Sequence, residues 1–399
     1  MNDKAWRDDE IVLRVGTSKS RRLVSYRIES SIFRQPGAFS ARFGHAEMLP
    51  AILSQPIHGA KFELHMVKAG QESGVIMQTG IVDAFSVGSS GPSEIELRGR
   101  DMIAPLFNSF FLADRAFDSV NYYDITAEAM KIAGMDPANL VTGPGARDSI
   151  IGGVKKAKAR KPSTDAKSQI VQQTEGNKTR VVYNTIKADV GSNLYQWLKD
   201  QYKKSGLFLW SAPNGKLVLS APNANVIPQF KITRKLSGQT STDVNIEAWD
   251  YGIDYSGMHS HVYVYGRAGG GKDGRRRIGA VAVDQRLLDA GLQSRISYED
   301  DVRTQKEAEY LAKRYAIEET RNGLTIEYTL SGHSAPSQVT PGVRLPWTID
   351  EIVAVDDEWL GIKQNLYIGD VTYTRDAQGT RTTIKLYRPR DLVFAENAQ

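Results

Sequence analysis

Apolar and polar residues alternate with period two in many short runs, and this more than anything else limits what the chain can fold into. Leu23, Ser25, Arg27 and Glu29 lie on one alternation and Val24, Tyr26, Ile28 and Ser30 on the other; the second set is mostly apolar, as a half-buried strand requires. Ile11 to Val15 opens with β-branched residues, and Phe39 to Phe43 alternates as well. Phe62, Leu64 and Met66 alternate with Glu63 and His65, Val75 to Phe85 is another strand candidate, and Ile95 and Leu97 alternate with Glu94, Glu96 and Arg98. Turn residues punctuate the runs at Pro36-Gly37, Gly59, Gly70, Gly74 and Gly91-Pro92. Many short strands at such spacing predict a sandwich or barrel over residues 1–118.

The pattern changes over residues 119–240, where an α+β region is expected. Asp124 can cap a helix over Ile125 to Ala133, with Ile125, Ala129 and Ile132 on one face and Gly134 as its stop. A second helix carries Leu194, Trp197, Leu198 and Tyr202 on one stripe, capped by Asp189 or Ser192 and ended by Gly206. Leu207 to Trp210 and Lys216 to Leu219 then flank Asn214-Gly215, a strong hairpin signal. Residues 143–180 hold few large apolar side chains and read as a surface insertion or mobile loop. Strands return over residues 241–399, with His261 to Gly266, one long helix over 304–319 buried through Ala308, Leu311, Ala312, Tyr315 and Ala316, a strand over Leu324 to Leu330, and a closing hairpin of Tyr367–Arg375 and Thr382–Tyr387 around Gln378-Gly379.

Chemistry is sparse. Cysteine is absent, which excludes disulfides and thiolate sites. Lys and Arg total 51 against 46 for Asp and Glu, a mild and dispersed excess apart from Lys155, Lys156, Lys158, Arg160 and Lys161. That basic run reads as a solvated loop, with contact to nucleic acid or an acidic protein as the alternative. Gly266 to Lys272 has phosphate-loop spacing, but Asp273 stands where magnesium binding needs a hydroxyl, and Arg275, Arg276 and Arg277 stand where an apolar helix should start. A Gly-rich hairpin tip is the reading, with Lys272 and Arg275 to Arg277 toward water or an acidic neighbour. His259 and His261 would share one side of a strand, with only His45, His58, His65 and His333 elsewhere and none at ligand spacing, so no metal site is expected. Glu299-Asp300-Asp301 and Asp356-Asp357-Glu358 read as solvated turns rather than a glycosidase pair. The Trp residues fit core packing. Met1 to Glu10 is too polar for a secretory signal, and no run approaches the roughly 20 apolar residues of a membrane span. No catalytic residue, cofactor or metal is expected.

The order of these pieces resembles a family. Ala188 to Leu198, Ser205 to Trp210 and Asn214 to Leu219 are similar to the helix, strand, Gly turn, strand signature of Mu-type phage baseplate hub proteins. Asn245 to Asp250 leading to Val262–Gly266, Glu307 to Arg314 before a strand, and Gly369–Tyr373 to Tyr387-Arg388-Pro389 resemble it too. The likeness spans roughly residues 10 to 395, excepting 150–180, and extends to the hub portion of VgrG spike proteins.

The resemblance implies a mainly β protein with two tail-tube-like β-barrel or sandwich domains and a smaller α+β region. It implies a non-enzymatic homotrimer whose ring adapts a sixfold tail tube to a threefold spike in the virion baseplate, after synthesis in the host cytoplasm. Its partners would be the tail tube or a distal tube protein, the central spike, baseplate wedge proteins and the tape-measure C-terminus, with DNA passing through the lumen. The alternatives are another tail component, tube-like or spike-adjacent, a tail-associated cell-wall or polysaccharide hydrolase using Asp300 or Asp357, and a nucleic-acid-binding module using Lys155 to Lys161.

Overall fold

The computed structural model describes residues 9–16, 18–44, 59–68, 74–88, 94–118, 120–143, 146–147, 150–151, 153–156, 171–175, 178–203, 205–223, 226–237, 244–267, 277–299, 302 and 305–392. The first strands are β1 (Asp9–Val15), β2 (Ser18–Ser20), β3 (Leu23–Ser31), β4 (Ala38–Gly44), β5 (Lys61–Lys68), β6 (Val75–Gly88) and β7 (Glu94–Asp101). A mixed region follows: α1 (Ala104–Asn108), β8 (Arg115–Asp118), β9 (Val120–Asn121), α2 (Tyr122–Ile132), β10 (Leu140–Thr142), β11 (Ile150–Ile151), β12 (Gly153–Lys156), β13 (Val171–Glu175), β14 (Lys178–Ala188), α3 (Leu194–Tyr202), β15 (Phe208–Ser211) and β16 (Leu217–Ser220). The remainder comprises β17 (Phe230–Arg234), β18 (Ile246–Ile253), β19 (His261–Arg267), β20 (Arg277–Val283), α4 (Gln285–Asp289), β21 (Ser294–Glu299), α5 (Gln305–Gly323), β22 (Leu324–Ser331), β23 (Ser334–Pro336), β24 (Arg344–Pro346), β25 (Glu351–Asp357), β26 (Ile362–Asp376) and β27 (Gly379–Tyr387).

The β-rich ends join into one 13-stranded sheet, ordered β18-β22-β27-β26-β3-β4-β7-β6-β5-β1-β2, with β25 on β26 and β17 on β25. The junction is the antiparallel pair β3–β26, running from Ser31 opposite Asp370 to Tyr26 opposite Arg375. A single apolar core backs both halves: Ile28, Phe43 and Phe62 share it with Tyr328, Trp347 and Tyr367. The fold is therefore mainly β with an α+β middle, and among the described residues no sheet closes into a barrel.

Two smaller cores flank this one. In the middle region α2 and α3 pack with the sheet β10-β16-β15 around Ile125, Met130, Leu194, Leu198 and Leu219. In the other, α5 covers one face of the sheet β20-β19-β21 through Val262, Val264, Ala308, Leu311 and Ala312. Arg314 of α5 ties the two together. It donates to the carbonyls of Tyr202 (2.9 Å) and Lys203 at the C-terminus of α3 and pairs with Glu318 at 2.8 Å. A cation satisfying the last carbonyls of a helix complements both its orphan acceptors and its dipole. Next to it Arg321 lies over the Phe33 ring at 4.2 Å, and its burial lowers the guanidinium pKa.

Several local expectations are corrected. Asn121, not Asp124, is the N-cap of α2; Asp124 is the third helical residue and completes a reciprocal capping box. Asn193, rather than Asp189 or Ser192, caps α3. The long helix is Gln305–Gly323 rather than 304–319. In β3 a bulge between Leu23 and Ser25 resets the alternation, so Leu23, Tyr26 and Ile28 are buried while Val24 is exposed. Part of the expected loop over 143–180 is instead strand: β12, β13 and β14 pair antiparallel, and β14 continues to β8.

Candidate functional site

From β18 to β6 the large sheet forms an eight-strand ribbon, and its two terminal strands share an unusual property. Trp249, Tyr251 and Ile253 of β18 sit opposite Tyr328, Ile326 and Leu324 of β22, which are buried. Directly opposed residues of an antiparallel pair share a face, so these three continue the core face. They are nonetheless 49%, 39% and 40% exposed. At the other end Phe85 and Val87 of β6 sit opposite buried Leu97 and Ile95 of β7 and are 42% and 46% exposed. The core is thus cut open at both ends of the ribbon. Both strands also have an open hydrogen-bonding edge among the described residues: β18 pairs with β22 alone, and β6 from Asp83 onward pairs with β7 alone. Neither segment carries a proline or lysine, the residues that ordinarily discourage edge pairing. Trp249 therefore departs from the core packing expected of it. Its ring stacks under the Arg234 guanidinium at 3.8 Å.

Arg234 is fixed in turn by Asp357. The two are register partners in the parallel pair β17–β25. Asp357 Oδ1 accepts from Arg234 Nε (3.0 Å) and from the amides of Trp359 (3.0 Å) and Leu360 (3.2 Å), while Oδ2 accepts from Tyr328 Oη (2.8 Å) and lies 2.8 Å from Arg234 Nη2. This carboxylate is buried, which corrects the solvated-turn reading, and every lobe of it is engaged in structure. Burial and the adjacent carboxylate push the Tyr328 hydroxyl pKa well up, so it stays a donor. Asp356 and Glu358 on either side share Lys235, at 2.6 and 3.0 Å. Asp300 and Asp301 lie outside the described residues.

The other face of the ribbon is largely polar: Thr325, Glu327 and Thr329 of β22, Arg27 of β3, Ser40 of β4 and Glu96 and Arg98 of β7 alternate with buried residues. The halves of the sheet are also pinned by a buried chain across the β3–β26 junction. Tyr26 Oη lies 2.7 Å from His333 Nε2, His333 Nδ1 lies 2.9 Å from Thr382 Oγ1, and Thr382 Oγ1 donates to the Gly332 carbonyl at 2.7 Å. Thr382 spends its only proton on that carbonyl, so it accepts from Nδ1–H, and Nε2 accepts from Tyr26. Burial pushes the His333 imidazole down to about 3. The folded ring refuses a proton that the unfolded chain takes up below about pH 6.5. Its contribution is whole above that pH and falls by about 1.4 kcal/mol per unit toward pH 3. Asp101, whose carboxylate accepts from the Gly37 amide at 2.8 Å, is pushed up to about 7 by burial and has the opposite slope, losing stability as pH rises from about 4 to 7. In His333→Asn the first slope disappears and the second remains. The stability difference between parent and variant, measured by urea titration, should therefore shrink by about 1.4 kcal/mol per unit as pH falls from 6.5 to 4.

The remaining expected sites do not assemble. His259 precedes β19 and its Nδ1 lies 3.0 Å from Glu319, whereas His261 begins the strand and stacks on Tyr263 at 5.9 Å, so the pair does not converge. His65 bonds Glu63 at 3.0 Å. Among the described residues no three potential metal ligands cluster, and no helix is long and apolar enough to cross a membrane. Gly266 and Arg267 end β19 and Arg277 begins β20; Lys272, Asp273, Arg275 and Arg276 lie outside the described residues, as do His45, His58, Lys158, Arg160 and Lys161. Lys155 and Lys156 fall in β12, and Glu299 ends β21. One further apolar surface is exposed. The face of β20-β19-β21 turned away from α5 carries Tyr263, with Val281 (48% exposed) on one side and Ile296 (57%) on the other.

No protein-family model matches the sequence, and no curated protein matches it. Solved structures do. The 43 kDa tail protein of prophage MuSo2 from Shewanella oneidensis aligns with a TM-score of 0.69 at 18% identity, covering 96% of this chain and 99% of that one. A tail protein from Neisseria meningitidis MC58 aligns at 0.68 and 18%, with the same coverage. The E. coli c3393 protein, a type VI secretion component described as structurally similar to the T4 bacteriophage tail proteins gp27 and gp5, aligns at 0.53 and 8%, over 95% of this chain and 77% of that one. At such identities what is shared is architecture, and over nearly its whole length this chain has the fold of the Mu-like prophage tail proteins.

Proposed function

We propose that this chain is a structural hub of a contractile-tail baseplate, three copies closing head to tail into a ring between tube and spike. The observation that carries this reading is the cut core. A ribbon whose two terminal strands both expose core-face aromatics and an open edge is complementary to itself end to end. Joining β18 of one copy to β6 of the next covers both at once. Such a contact is heterologous, and it makes a closed ring only when its rotation closes. Three copies would place twenty-four strands around a channel, eight from each. Closure also removes sheet edges that would otherwise recruit other chains.

The ring's polar face would line the channel for DNA. The Tyr263–Val281–Ile296 surface is our assignment for contact with a further baseplate component, whether tube, spike or wedge. A non-enzymatic role agrees with the use of Asp357, whose oxygens are occupied by structural donors. The test is the mass of the assembled species in solution or its image in the particle. A ring of three, about 133 kDa from a 44.2 kDa subunit, is expected. A ring of six would favour a tube-like component, and particles in which the β18 and β6 edges face solvent would overturn the hub reading.

A further inference from the structure

Strand registers place an uninterrupted row of side chains across the polar face. Arg381 of β27 is opposite Thr374 of β26, Thr374 is opposite Arg27 of β3, Arg27 is opposite Ser40 of β4, and Ser40 is opposite Arg98 of β7. Arg27, Ser40 and Arg98 each lie between two buried neighbours, and Thr374 and Arg381 share their face by direct opposition across the pairs, so all five point away from the core. The arginines fall on alternate strands, roughly 10 Å apart, with hydroxyls between them. A groove of about 280 Å³ crosses the row at Arg27, Ser40 and Thr374.

Each arginine is also paired. Arg27 bonds Glu29, two residues along its own strand, and Arg98 bonds Glu96 at 2.8 Å in the same way. Arg381 reaches Asp376 at 2.8 Å, and Glu96 holds Arg42 as well at 3.6 Å. The basic row is thus flanked on both sides by its own counter-charges. The hydrogen bond from Arg98 keeps the Glu96 carboxyl below its ordinary range, so that pairing persists through neutral pH.

We propose that this row is a phosphate-contacting band for duplex DNA in transit, and that the carboxylates paired with its arginines hold its affinity down. This rests on the reading above that the polar face lines the channel. Guanidinium forks present planar paired donors suited to phosphate oxygens. Unpaired, three of them per subunit would bind DNA and release counterions in proportion. With a carboxylate already beside each, a phosphate displaces a bound partner instead of filling a vacancy, so contact is brief and the polymer slides. A wholly acidic face would repel DNA, and a bare basic one would retain it.

The experiment is a fluorescence-anisotropy titration of a short labelled DNA duplex with the purified chain over a range of salt. The parent should bind weakly. Glu29→Gln with Glu96→Gln should bind at least about 10-fold tighter at low salt, with a log K against log salt slope steeper by about two. Adding Arg27→Gln and Arg98→Gln should abolish the gain. Unchanged affinity in the carboxylate variant, or a gain that survives loss of the arginines, would overturn the proposal. Circular dichroism checks the fold, and if the double variant misfolds, Glu29→Gln alone should steepen the slope by about one. Oligomeric state is read on the same samples. Rings without tighter DNA binding remove this proposal alone, whereas tighter binding in a chain that never forms rings removes the hub reading.

Discussion

Val87→Glu or Ile253→Glu should leave the subunit folded and take the ring apart. Both side chains are 40% or more exposed in the single chain, so each change should alter the subunit's melting by no more than a surface substitution does, about 0.5 kcal/mol. In the proposed ring the same positions would be covered. A carboxylate placed in an apolar seam without a partner costs several kcal/mol. A cost of about 2.7 kcal/mol already weakens a contact 100-fold, and cyclic symmetry repeats the damage at every seam. Sedimentation velocity should show the 44.2 kDa species in place of the ring. Val24→Glu is the control: it is also an exposed apolar residue of the ribbon, but β3 is central and its Val24 is remote from either terminal strand. That variant should still assemble. An intact ring carrying Val87→Glu would place the seam elsewhere, and disassembly by Val24→Glu would mean that the seam was not being probed at all.

What the sequence made legible follows the range of the interactions. The stripe Leu194, Trp197, Leu198 and Tyr202 is buried as its spacing predicts, because a helix face is set by residues within two turns. The Asn214-Gly215 turn, with Gly215 at φ 82°, and the closing hairpin are local in the same sense. Errors begin where one residue decides the outcome. The bulge in β3 exposes Val24, and the capping asparagines at 121 and 193 stand one to four positions from the residues favoured by pattern. Pairing between β3 and β26 joins residues more than 300 positions apart, and nothing in either strand names its partner. The acids at 356–358 looked solvated because Arg234, which buries Asp357, lies 123 positions away. The proposed seam is hidden for a different reason. Trp249, Tyr251 and Ile253 alternate like any core strand, and alternation does not say whether the core belongs to the same copy or to the next.

Asp357→Asn should be the most damaging single substitution on this sheet, and its effect should reach the seam. The change preserves size but removes the anion that, among the described residues, pairs with a guanidinium that is itself 5% exposed. Breaking a buried ion pair from one side costs about 3–5 kcal/mol, because the remaining charge is left uncompensated. Removing both charges relieves that penalty. Arg234→Met with Asp357→Asn should recover about half of the loss in urea unfolding, a coupling of a few kcal/mol in the double-mutant cycle. Tyr328→Phe, which deletes one hydrogen bond to Oδ2, should cost only about 1–2 kcal/mol. Assembly distinguishes the charge from the scaffold. Trp249 rests on the Arg234 guanidinium, so Arg234→Met removes the platform of a residue of the proposed seam even where stability has been regained. The double variant should therefore fold better than Asp357→Asn yet assemble more weakly than the parent. Equal assembly by the two would show that Arg234 only completes the core and leaves the position of Trp249 to β18 itself.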